Sequence, residues 1–168
     1  MPENILKTGN EHFEIIEKTT VIESSWPTHD QAVEDLTQDH FIVRDGKEYA
    51  GTHLIIDLWG AKRLDELELM EDTLREAVKQ AGATLLHIHL HHFTPNGGIS
   101  GVAVLAESHI SVHSWPERDF AAFDVFMCGD AQPENAIAVL EAAFTPSRVV
   151  VDTLLRGDVD TASAEDAA

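Results

Sequence analysis

The chain has 168 residues, 43% of them apolar, which is enough for one domain with a true core. Its 30 acidic against 11 basic residues give a net charge of −19, a balance that argues against a nucleic-acid backbone as partner. No apolar run reaches the roughly 20 residues of a membrane span, no basic-then-apolar leader opens the chain, and a single Cys forms no internal disulfide, so a reducing cytoplasm is the expected setting.

Residues 1–45 read as an N-terminal extension with no assigned chemistry. Within it, residues 11–17 have mixed periodicity, Ser24-Ser25-Trp26-Pro27 is loop-like, and residues 31–36 suit a short helix. Residues 41–43 suit a strand that the Asp45-Gly46 turn joins to the next one. A domain is expected over 46–156. Its first core strand is 52–59, closed by Gly60. Residues 64–81 make the clearest helix, with Leu64, Leu67, Met70, Leu74, Ala77, Val78 and Ala81 on one face and Gly82 as the stop. Strands follow at 84–92, 99–106, 109–114 and 120–127, with the Gly-rich connection 93–98 between the first two. Gln132-Pro133-Glu134-Asn135 opens a second helix, which carries Ile137, Leu140, Ala143 and Phe144 on one face and ends before Pro146. Residues 148–155 form a Val-rich strand expected to be buried, and 157–168 an acidic flexible tail. The order β-α-β-β-β-β-α-β is α+β, with two amphipathic helices to be buried on one face of an antiparallel sheet.

Chemistry concentrates after the third core strand. Glu107-Ser108-His109 sets a hydroxyl beside its own upstream carbonyl, the arrangement an internal acyl shift needs if the backbone is strained and a nearby group moves protons. His113, Trp115-Pro116-Glu117, Asp124-Val125-Phe126 and Cys128-Gly129 follow in close order. This run resembles the self-processing site of the prokaryotic S-adenosylmethionine decarboxylase proenzymes, over about residues 52–155.

The resemblance implies a two-layer α/β sandwich and a homodimer with its active sites near the interface. It implies cleavage between Glu107 and Ser108, with Ser108 becoming a covalent pyruvoyl cofactor. That ketone condenses with the substrate amine and takes up the electrons that decarboxylation leaves on the α-carbon. His113 matches the base that removes the α-proton during cleavage, and a pKa near 6.5 suits the task. Ser100 matches the processing Ser that steadies the oxyanion, and Cys128 the acid that protonates the α-carbon after CO2 leaves. Glu117 matches the carboxylate that binds the ribose hydroxyls, and Phe93 the aromatic that stacks on adenine, in a loop one residue longer than usual. Trp115 either lines the pocket or packs.

The implied activity is decarboxylation of S-adenosylmethionine for spermidine synthesis; the negative charge reads first as a solvated surface, and it agrees with a sulfonium substrate. An arginine or ornithine decarboxylase on the same scaffold is the alternative. A further one is a non-catalytic homologue that binds metal through His87, His89 and His91, which share a strand face. No metal is assigned, because these imidazoles read first as polar residues on a sheet surface or dimer seam.

Overall fold

The computed structural model describes residues 41–159; the expectations for residues 1–40 and 160–168 lie outside them. The described elements are β1 (Ile42–Arg44), β2 (Lys47–Trp59), α1 (Leu67–Gln80), β3 (Leu85–His92), β4 (Ile99–Leu105), β5 (Ser108–Trp115), β6 (Phe120–Met127), α2 (Asn135–Phe144) and β7 (Arg148–Asp158). The strands form one antiparallel sheet in the order β1-β2-β6-β5-β4-β3, with β7 on the other side of β2. The expected α+β class is the one observed.

Strict alternation explains the layering, because successive side chains on a strand point to opposite faces. In β6 every second residue is buried: Ala121, Phe123, Val125 and Met127. Leu54, Ile56 and Leu58 of β2 and Ile110 and Val112 of β5 share that face. Met70, Leu74 and Ala77 of α1 and Ala136, Leu140 and Phe144 of α2 close over it. Each fully buried Leu, Ile or Phe contributes about 1.5–3 kcal/mol. Among the described residues no helix lies on the opposite face, which holds a mixture of imidazoles, carboxylates and apolar side chains.

Four expectations shift. The first helix begins at Leu67 rather than 64, because Arg63 turns left-handed (φ 60) and pairs with Glu66 at 2.7 Å. Leu64 is still buried from the preceding turn, while Leu67 remains 38% exposed. Gly82 ends the helix as expected, at φ 75, with its N–H on Lys79 and the next N–H on Val78. In α2 the buried stripe is Ala136, Leu140 and Phe144, with Ile137 and Ala143 packed at its margin. The Val-rich last strand is not buried: β7 is an edge strand, and Val150 and Leu154 stand 38% and 47% exposed on the open face. It also runs through Gly157 to Asp158, opposite Tyr49, so the first two residues of the expected tail belong to the sheet. Among the described residues no helix is long and apolar enough to cross a membrane.

Candidate active site

The predicted residues fall into two groups at opposite ends of the β4–β5 hairpin. Leu105 pairs with Ser108, so Ala106 and Glu107 form a two-residue turn, tied to the start of β3 by the Ala106 N–H on the Thr84 carbonyl (3.0 Å). Glu107 sits at φ 63, in the second central position, where turns of that conformation normally place glycine. The backbone strain therefore falls on Glu107, the residue that supplies the carbonyl of the Glu107–Ser108 bond. A left-handed non-glycine residue costs about 1–2 kcal/mol. In a Ser108→Ala background, Glu107→Gly is expected to raise stability by about 1 kcal/mol, read as a higher urea midpoint at unchanged slope.

Cys128 completes this end. Phe126 pairs with His109, and two residues on, where β6 has ended, Cys128 reaches the turn. Its backbone N–H donates to Ser108 Oγ at 3.2 Å, and its thiol donates to the Glu107 carbonyl, also at 3.2 Å. The Ser108 hydroxyl and the Glu107 carbonyl are thus both engaged by one residue. Burial, and then the nearby Glu107 carboxylate, push the Cys128 thiol above its ordinary range, against the opposing effect of the Ser108 hydrogen bond. The sulfur therefore stays protonated at neutral pH.

At the other end Ser100 stands directly opposite His113, and Ser100 Oγ and His113 Nδ1 are 2.8 Å apart. The His113 ring stacks on Trp115 (6.0 Å between centroids), and Trp115 on Phe120 (5.4 Å). A cavity of about 350 Å³ opens here, lined by Phe93, Asn96, Ser100, His113, Trp115 and Glu117. That volume lies within the range of small-ligand sites. Trp115 thus lines the cavity. Phe93 is 47% exposed, with its ring braced edge-on by His91 at 4.5 Å. Gly98 is required on the far wall, since a Cβ there would meet the Ser114 carbonyl at 2.7 Å. Ser114 itself faces the core: its hydroxyl accepts from the Ile99 N–H (2.8 Å) and donates to the Leu64 carbonyl (2.9 Å).

Ser108 and His113 are five residues apart on one straight strand, a separation of roughly 16 Å. Within one protomer, then, Ser108, Glu107 and Cys128 come together, and Phe93, Ser100, His113, Trp115 and Glu117 come together, but the two groups do not meet. His87, His89 and His91 point outward from edge strand β3, and no metal-holding group of three or more His, Cys, Asp or Glu occurs among the described residues.

Sequence reasoning missed a polar row across the open face. Arg156 Nη1 donates to His53 Nδ1 (3.2 Å), His53 Nε2 lies 3.6 Å from Asp124 Oδ1, and Ser111 Oγ donates to Asp124 Oδ2 (2.9 Å). The available signal was a His, an Asp and a Ser at the outward position of three strands that are otherwise apolar in alternation.

Comparison with known proteins gives one answer. The family model described as S-adenosylmethionine decarboxylase matches residues 52–157. The chain is similar to the S-adenosylmethionine decarboxylase proenzyme of Thermomicrobium roseum, at 44% identity over 64% of this chain and 93% of that one. It is similar to the proenzyme of the same name from Methanococcus vannielii, at 47% identity over 66% and 92%. Among solved structures it resembles the adenosylmethionine decarboxylase from Aquifex aeolicus, with a TM-score of 0.59 and 35% identity over 65% of this chain and 92% of that one.

Proposed function

The chain belongs to the S-adenosylmethionine decarboxylase family, and on that premise we propose that it cleaves itself between Glu107 and Ser108 and then decarboxylates S-adenosylmethionine as a dimer. The observation that carries this reading is the left-handed Glu107, whose carbonyl and the neighbouring Ser108 hydroxyl both bond to Cys128.

Cleavage needs no external reagent but water. Ser108 Oγ attacks the Glu107 carbonyl carbon, the C–N bond breaks, and an ester and a free amine result. The Cys128 thiol donates to the oxygen that gains charge in that attack. A base then removes the Ser108 α-proton and the Cβ–Oγ bond breaks, so that Oγ departs as part of the Glu107 carboxylate. Tautomerisation, addition of water and loss of ammonia leave a pyruvoyl group on the 108–168 chain. The residues suit this outcome, because the Cys128 N–H bond to the hydroxyl that must leave is long, 3.2 Å. The group supplies the electron sink that an α-decarboxylation requires. Cys128, kept protonated, would return a proton to the α-carbon.

The base is His113, which cannot reach Ser108 of its own chain. The partner subunit's His113 can, if two open sheet faces meet about a two-fold axis that reverses the hairpins. Ser100, His113 and Trp115 all stand on the face that no described helix covers, and Cys128 follows the outward-facing Phe126. A symmetric pair then builds two composite sites, each with the Glu117 carboxylate for the ribose hydroxyls and Phe93 and Trp115 for the base. The product would supply aminopropyl groups for spermidine synthesis.

The test is the intact mass of purified protein, followed by CO2 release from S-adenosylmethionine, arginine and ornithine. Two fragments divided at Glu107/Ser108, the second lacking a free amine, with CO2 from S-adenosylmethionine alone, is the expected result. A chain that stays whole on long incubation would sink the proposal.

A further inference from the structure

Cleavage removes two of the restraints on residue 108. The peptide to Glu107 is gone, and so is Oγ, the atom that accepts the Cys128 N–H. New chain ends fray unless something ties them down. The residue next to the new end is His109, and its ring is not free on the surface. It packs against Phe126 at 5.8 Å between centroids and against His53 at 6.3 Å, edge-on. His53 and Phe126 are themselves in edge contact at 5.8 Å, so three rings from β2, β5 and β6 form a closed triangle.

The triangle is backed from outside. Arg has no acceptor, so the Arg156 guanidinium on His53 Nδ1 makes that nitrogen the acceptor and places the proton on Nε2. Nε2 is buried without a hydrogen bond, 3.6 Å from the Asp124 carboxylate that Ser111 holds from the other side. The His53 ring is therefore fixed in rotation as well as position, its side chain only 13% exposed. Burial, and then the neighbouring His53, lower the pKa of His109, against an opposing effect of Asp124, so the ring packs as a neutral group.

We propose that the His53–Phe126–His109 triangle is the anchor that holds the pyruvoyl end of the cleaved chain in place. His109 and His53 act as positioning residues for catalysis and not for cleavage. The assignment rests on the self-cleaving reading above. It goes beyond that reading by giving the two steps different requirements: before cleavage the covalent turn holds residue 108, and afterwards the ring cluster does.

The experiment compares wild type, His109→Ala and His109→Phe, with three readouts on each: the rate of cleavage by mass, the steady-state kinetics, and hydrogen exchange of the 109–112 amides in the cleaved dimer. His109→Ala is expected to cleave at the wild-type rate. Once cleaved it should exchange those amides about tenfold faster and lose about 10- to 100-fold in kcat with little change in KM, since a misplacement of an ångström is worth that much. His109→Phe, which keeps the ring, should restore both protection and kcat. A His53→Ala, His109→Ala double variant should be no worse than His109→Ala alone, because that change already removes both ring contacts of residue 109.

The proposal falls if His109→Ala matches wild type in exchange and kcat, or if His109→Phe is as damaged as His109→Ala, which would make the imidazole chemical. It falls also if cleavage slows in parallel with kcat, or if the dimer dissociates in step with the loss. A wild-type chain that never cleaves would instead overturn the reading beneath it, and the same mass measurement separates the two failures.

Discussion

Chains carrying Ser108→Ala and chains carrying His113→Ala each stay whole when made alone, and the His113→Ala chain is cleaved when the two are made together. That is the expected outcome of a site shared between protomers. The roughly 16 Å along β5 between Ser108 and His113 is too far for a proton transfer, which needs about 3 Å or one bridging water. In the mixed dimer one site combines Ser108 of the His113→Ala chain with the intact His113 of its partner, and the other site has neither. The mass spectrum should show 1–107 and 108–168 fragments carrying the His113→Ala change, and no fragments from the Ser108→Ala chain. Loss of a general base costs about 10²–10⁴-fold, so the contrast between single and mixed preparations is large. Mixed dimers that remain whole would mean that each chain must bring its own base to Ser108.

Cys128→Ala should damage both steps, but unequally. Its thiol lies 3.2 Å from the carbonyl under attack, so its loss removes a donor to the developing oxyanion. A thiol is a weak donor, and cleavage should slow by about tenfold, less than the 10²–10³ seen for strong oxyanion donors. Decarboxylation loses its proton source and should fall by about 10²–10⁴-fold in kcat. The pH dependence has a definite sign. Burial and the Glu107 carboxylate favour the neutral thiol, so Cys128 gives up its proton only above the ordinary thiol range near 8.5. Alkylation of the uncleaved Ser108→Ala chain by iodoacetamide should therefore accelerate at a higher pH than for a free thiol, and the contribution of Cys128 to cleavage should persist through neutral pH and fade as pH rises through the raised value. An alkylation profile centred below that of a free thiol would mean an activated thiolate and would exclude the acid role.

Much of this architecture was legible before any coordinates. Alternation in 120–127, a helical stripe from Met70 to Val78, and glycine after Ala81 locate β6, α1 and its end, because each records a local period or a local φ requirement. The position of Leu67 was not legible. Its spacing fits the apolar stripe, but the Arg63 turn delays the helix and leaves it at the exposed first turn. The burial of β7 was misread for a related reason: a Val-rich run looks the same at a sheet edge as at a sheet centre.

The sequence by itself determined which groups could carry the chemistry: a hydroxyl beside its own upstream carbonyl, then an imidazole, a carboxylate and a thiol in close order, over an antiparallel sheet backed by two helices. Those are properties of residue type and short spacing. Only the tertiary structure decided which of these groups meet. Spacing along a strand is distance, so five residues that read as neighbours become opposite ends of a hairpin, and Cys128, twenty residues from Ser108, becomes its contact through the β5–β6 register. The His53–Phe126–His109 triangle arises in the same way, from three strands whose outward positions coincide only once the sheet has formed.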